Sequence, residues 1–242
     1  MYLRPLAELN ARPIAGTEAV EVASPIFSPD GRSVVFWSGT ERALKSVPVS
    51  GGRAARICET EVPFGISWTA DGLVVGTRQH GIVRVSPTGG VPEVLVSVKP
   101  DEAAYAPQVL PGGRAMLFTL ASGALLDNPR LVVQPSDSAV RTTIIEGASD
   151  GRYVPTGHIV YAQEGNLRAV AFDMRSLRVT SAPVPVLEGV MRTALTSSGR
   201  LSGMAQWQVS ASGVFVYAPG RPPSRPSCTA RPWLTFQSTR RR

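Results

Sequence analysis

The chain has 242 residues, 43% of them hydrophobic and only 18% charged, which excludes a disordered polymer and supplies enough apolar side chain for a sizeable core. Its formal charge of +7 is uneven: six arginines and no acid lie in residues 220–242, which leaves +1 for residues 1–219. A basic tail on a nearly neutral body disfavours a nucleic-acid-binding surface.

The first predicted elements are two short strands, at 2–6 and 11–16, which read as the outer half of a sheet unit whose inner strands lie elsewhere. A strand at 24–28 then runs into the turn Ser28-Pro29-Asp30-Gly31, and an apolar run follows at 33–37. Two more strands, at 43–49 and 54–58, flank Ser50-Gly51-Gly52. The pattern recurs. Strands at 65–69 and 73–76 flank Thr69-Ala70-Asp71-Gly72, and strands at 82–87 and 92–98 flank Thr88-Gly89-Gly90. A third unit has strands at 106–110, 115–120, 130–136 and 140–145 around Leu110-Pro111-Gly112-Gly113. A fourth has Val154-Pro155-Thr156-Gly157 with strands at 158–162, 167–173 and 182–188. Strands at 206–210 and 214–218 flank a last turn, Ser210-Ala211-Ser212-Gly213.

The turns recur at spacings of 41, 41, 44 and 56 residues, so the last unit carries an insertion around 190–204. Asp-Gly and Gly-Gly supply the positive φ that tight hairpins need, and the Val, Ile, Phe and Tyr of the runs suit a pleated, half-buried surface. Four short strands per unit of about 40 residues is the signature of an all-β propeller of four-stranded antiparallel blades. The first strand of each blade would line a central channel and the fourth would lie at the rim.

The predicted boundaries are 1–22 for the outer strands of a split or preceding blade, then whole blades at 23–60, 61–99, 100–147 and 148–190. Residues 205–219 supply the inner strands of a last blade. Residues 220–242 form an Arg/Pro-rich tail expected to lie outside the fold. The two half-blades either join to close a five-bladed ring or belong to an open arc of a larger propeller, and the arc is the favoured reading.

Tyr2-Leu3-Arg4-Pro5-Leu6, Ala11-Arg12-Pro13-Ile14, Gly16-Thr17-Glu18, Val47-Pro48-Val49 and Gly51-Gly52 carry a family likeness, as does Pro25-Ile26-Phe27-Ser28-Pro29-Asp30-Gly31-Arg32. The repeat resembles the WD40-like, TolB-type propeller repeat. The longer N-terminal run resembles the C-terminal propeller of bacterial serine/threonine protein kinases. That resemblance implies a sensor or scaffold module, extracytoplasmic in those relatives. It transfers no catalytic residue, because the Gly-rich phosphate loop, His-Arg-Asp and Asp-Phe-Gly are absent from this sequence.

Candidate site residues are sparse. His80 lies in the turn Gln79-His80-Gly81, and His158 opens a strand after Gly157. Neither has a partner at ligand spacing, so no catalytic residue, metal site or cofactor is expected. Asp30 and Asp71 read as turn formers. Trp37, Trp68 and Trp207 read as packing between blades, with a channel-lining aromatic as the alternative for Trp68 and Trp207, and Trp233 falls in the tail. Arg78, Gln79 and Arg84 read as solvated surface. Cys58 and Cys228 are too few for a disulfide framework.

No apolar run reaches the ~18 residues of a membrane span, and the N-terminus lacks a secretory h-region, so the chain as written is expected in the cytoplasm. The expected function is a noncatalytic propeller that binds a protein, a peptide or a small ligand in the channel. Two alternatives stand beside it. One is a propeller lyase or hydrolase with a site assembled at the channel mouth. The other is a nonfunctional fragment of a longer gene.

Overall fold

The computed structural model describes residues 1–18, 21–123, 127–195, 200–210, 214–220 and 237–239. The chain divides into two compact units, Met1–Gly113 and Arg114–Arg242. Its strands form antiparallel sheets of the β-propeller kind, as the repeat predicts.

In the first unit, β1 (Tyr2–Leu3) and β2 (Arg12–Pro13) make a two-stranded sheet. The first full sheet has β3 (Val22–Phe27), β4 (Ser33–Ser38), β5 (Ala43–Pro48) and β6 (Ala55–Glu59) in chain order. The second has β7 (Ile66–Thr69), β8 (Gly72–Gly76), β9 (Ile82–Val85) and β10 (Glu93–Val96) in the same order, and β11 (Glu102–Val109) ends the unit.

The apolar runs are continuous because both faces of each central strand are covered. On β4, Val35 and Trp37 pack with Leu44, Ile66, Leu73, Val75, Val83 and Val85 between the two full sheets. The alternate residues Val34 and Phe36 pack with Val47 and with Ile14 and Leu3 of the N-terminal half-blade. A side chain of Val or Phe size buried in this way contributes roughly 1.5–3 kcal/mol.

In the second unit, β12 (Ala115–Ser122), β13 (Asp127–Pro135) and β14 (Thr142–Glu146) pair in order. They are followed by β15 (Ser149–Val154), β16 (His158–Gln163) and β17 (Asn166–Asp173). Both β18 (Arg178–Val179) and β19 (Val184–Leu187) pair with β17, at opposite ends of it. The insertion expected around 190–204 holds a hairpin of β20 (Arg192–Leu195) and β21 (Arg200–Ala205). β22 (Trp207–Val209) pairs with β23 (Phe215–Tyr217), which also pairs with β24 (Gln237–Thr239). Apart from Gly220 and β24, the tail expectation lies outside the described residues. Among the described residues, no helix is long and apolar enough to cross a membrane.

One backbone feature repeats with the blades. Ser24 (φ 51°), Gly65 (φ 97°), Ala106 (φ 51°) and Asp150 (φ 53°) are all left-handed. Each stands four residues before its blade's turn motif, so their spacings of 41, 41 and 44 are those of the turns. In β3 and β15 the left-handed residue coincides with a register shift, the mark of a β-bulge.

Candidate functional site

The site begins with the loop between β6 and β7, which is held at almost every residue. The indole Nε1 of Trp37 donates to the Thr60 carbonyl at 3.0 Å, and the Thr60 amide donates to the Arg42 carbonyl at 3.1 Å. Ser24 Oγ donates to the Pro63 carbonyl at 3.3 Å. The Phe64 amide donates to the Gly76 carbonyl at 2.8 Å, and its own carbonyl accepts from the Ala106 amide at 2.7 Å. Gly65 closes the loop in a conformation L side chains rarely adopt, and a Cβ there would meet the Ala106 Cα at 2.9 Å. Glu61 projects from this pinned loop with its side chain only 19% exposed.

The second component is the turn between β8 and β9. The Thr77 amide donates to the Gly81 carbonyl at 2.6 Å, and the His80 amide donates to Thr77 Oγ1 at 3.1 Å. The turn thereby presents an imidazole that is 66% exposed.

These two segments meet. Glu61 Oε1 accepts from the Gln79 amide at 2.9 Å and lies 3.3 Å from His80 Nδ1. With a carboxylate at Nδ1, that nitrogen carries the proton of the neutral ring, and Nε2 is left as the base. A base oriented by a third group is the arrangement that general-base chemistry requires, and here both members are anchored through the main chain.

The second unit holds a different arrangement around Asp150, the one buried carboxyl side chain among the described residues at 3% exposure. Its amide donates to Thr119 Oγ1 at 3.0 Å, and its Oδ2 accepts from the Ala205 amide at 2.9 Å. Burial pushes its carboxyl up to about 6, against the opposing pull of Arg152, of the Ala205 and Ser149 hydrogen bonds, and of Arg192. Burial also lowers Arg152, and Asp150 works against that shift.

The other candidate residues have ordinary roles. Asp30 Oδ1 accepts from Ser28 Oγ and from the Arg32 amide, and these bonds hold its carboxyl below the usual range. Asp71 lies in the β7–β8 turn. His158 Nδ1 is 2.9 Å from the carbonyl of Thr156, two residues away, and serves only its own turn. Arg84 pairs with Glu93 across β9 and β10 at 2.6 Å. Trp68 packs in the core between the first two full sheets, and Trp207 packs against Phe215 with ring centroids 5.7 Å apart. Cys58 is buried, which raises its thiol. Trp233 and Cys228 lie outside the described residues.

His80 was expected to have no partner at ligand spacing, and the structure places Glu61 beside it. Glu61 lies 19 residues upstream, yet antiparallel topology puts both at one end of the second blade. A loop leading into a first strand and a turn joining the second strand to the third always share an end. Among the described residues, no three His, Cys, Asp or Glu side chains gather where they could hold a metal ion.

No family model matches the sequence, and no curated protein sequence matches it. Solved structures do. A gluconolactonase from Xanthomonas campestris superposes with a TM-score of 0.63 at 14% identity, over 84% of this chain and 71% of its own. A propeller in the nidogen/laminin complex gives 0.59 at 12%, over 86% and 76%. A luciferin-regenerating enzyme gives 0.56 at 12%, over 82% and 68%. At such identities the likeness establishes the fold, a β-propeller repeat architecture.

The likeness also corrects one expectation. The lack of kinase motifs was read as the lack of any enzyme activity, but propellers similar to this chain include enzymes. Missing kinase motifs say nothing of other chemistries. Propellers similar to this chain also occur in protein complexes, which supports partner binding as a general property of the architecture.

Proposed function

We propose that this propeller is a hydrolase in which His80 acts as general base and Glu61 holds it. The observation that carries the reading is the 3.3 Å approach of Glu61 Oε1 to Nδ1 of a solvent-exposed imidazole. His80 Nε2 takes a proton from water as the water oxygen bonds to the carbonyl carbon of an ester or lactone. The acyl–oxygen bond then breaks, and the imidazolium returns the proton to the leaving oxygen. Glu61 keeps the ring in the required tautomer and balances the positive charge that develops on it. General-base assistance of this kind is worth about 10²- to 10⁴-fold in rate.

The likeness to a gluconolactonase is one of fold, and it guides the choice of probe. The Ser28-Pro29-Asp30-Gly31 repeat supports a TolB-type lineage as part of the same proposal. The test is an assay of the full chain against p-nitrophenyl acetate and δ-gluconolactone. Turnover above the buffer rate supports hydrolysis, and no turnover of either probe counts against it.

A further inference from the structure

Thr77 is 1% exposed, and its hydroxyl lies inside the turn that carries His80. Thr77 Oγ1 donates to the Gly81 carbonyl at 3.1 Å and accepts from the His80 amide at 3.1 Å. The main chain of Thr77 is bridged to Ala104 of β11. The hydroxyl therefore connects a fixed strand end to the residue whose ring must face Glu61.

We propose that Thr77 is a positioning residue: its hydroxyl sets the backbone angle at His80 that brings Nδ1 to Glu61. The inference rests on the dyad reading above. Without the hydroxyl, the His80 amide loses its acceptor, the turn relaxes towards solvent, and the imidazole swings free. A free imidazole favours the Nε2–H tautomer, so the loss is visible in the ring itself.

The experiment is nitrogen-15 NMR of the imidazoles in the full chain at alkaline pH. The chain has two histidines, so His158 serves as an internal control and its substitution to Gln assigns the signals. The expected result is an Nδ1–H tautomer at His80 in the wild type and in Thr77→Ser, lost in Thr77→Val and in Glu61→Ala, with His158 unchanged throughout. Thr77→Ala is the second variant should the isosteric Val fail to fold. Retention of Nδ1–H in Thr77→Val or Thr77→Ala overturns the role of Thr77 and leaves the dyad standing. A wild-type His80 in the Nε2–H form, or no response to Glu61→Ala, overturns the dyad and this inference with it.

Discussion

Glu61 Oε1 lies 3.3 Å from His80 Nδ1 and also accepts the Gln79 amide, so one carboxylate oxygen joins a blade-connecting loop to a hairpin turn. Glu61→Gln keeps the shape and can still accept from Gln79, but removes the charge that supports an imidazolium. Hydrolysis of whichever probe is turned over should fall at least about 10-fold, as expected for a group that assists a general base. Stability should change by no more than about 1 kcal/mol, because a pair this exposed on one side contributes little to folding. Urea titration beside the assay separates the two effects.

Gly65→Ala should be among the more costly single changes in the first unit. The new Cβ meets backbone of Ala106 at 2.9 Å while φ stays near +97°, so steric and conformational penalties add. A loss of about 2–4 kcal/mol is expected. Gly31→Ala is the control: it also has positive φ, but nothing lies within 4 Å of a Cβ there, so about 1 kcal/mol is expected. Equal losses in the two variants would contradict the close approach as the cause.

Trp37→Phe should loosen the Glu61 loop with little harm to the core. The ring still packs with Val35 and Leu44, but the donor to the Thr60 carbonyl is gone. About 1–2 kcal/mol should be lost, the cost of one half-buried hydrogen bond. Amide exchange in 60–65 should speed up more than exchange in β4.

Asp150 predicts a pH dependence of stability in the second unit. Its carboxyl holds a proton up to about pH 6 in the folded chain, whereas an unfolded aspartate titrates near 3.9. The folded state therefore binds more protons between those values. The contribution is fully present below about pH 4 and is lost as pH rises through 6, a change on the order of 3 kcal/mol. Asp150→Asn keeps an oxygen acceptor for the Ala205 amide and should flatten that slope. Unfolding by urea at a series of pH values reads it, and an unchanged slope in the variant would contradict the assignment.

The blades were legible because the signal is periodic and local. Turn motifs such as Ser28-Pro29-Asp30-Gly31 recur at 41 residues, each followed by an apolar run such as those around Val35 and Val74, and both faces of those strands are buried. The β20–β21 hairpin was not legible, since it interrupts the repeat. Nor was the site. Glu61 precedes a predicted strand and His80 sits in a turn, and each alone reads as solvated polar surface. Their meeting depends on the shared end of one blade and on Gly65, Thr77 and Trp37, whose hydrogen bonds are invisible in composition. The left-handed positions Ser24, Gly65, Ala106 and Asp150 follow the repeat in place but not in residue type, so only the backbone discloses them.

The most direct test of the account is the kcat/KM of wild type and His80→Ala measured together on the better of the two probes. The account predicts a fall of about 10²- to 10⁴-fold in a variant that unfolds at the same urea concentration as wild type. A His80→Ala chain that folds normally and hydrolyses the probe at the wild-type rate would contradict it.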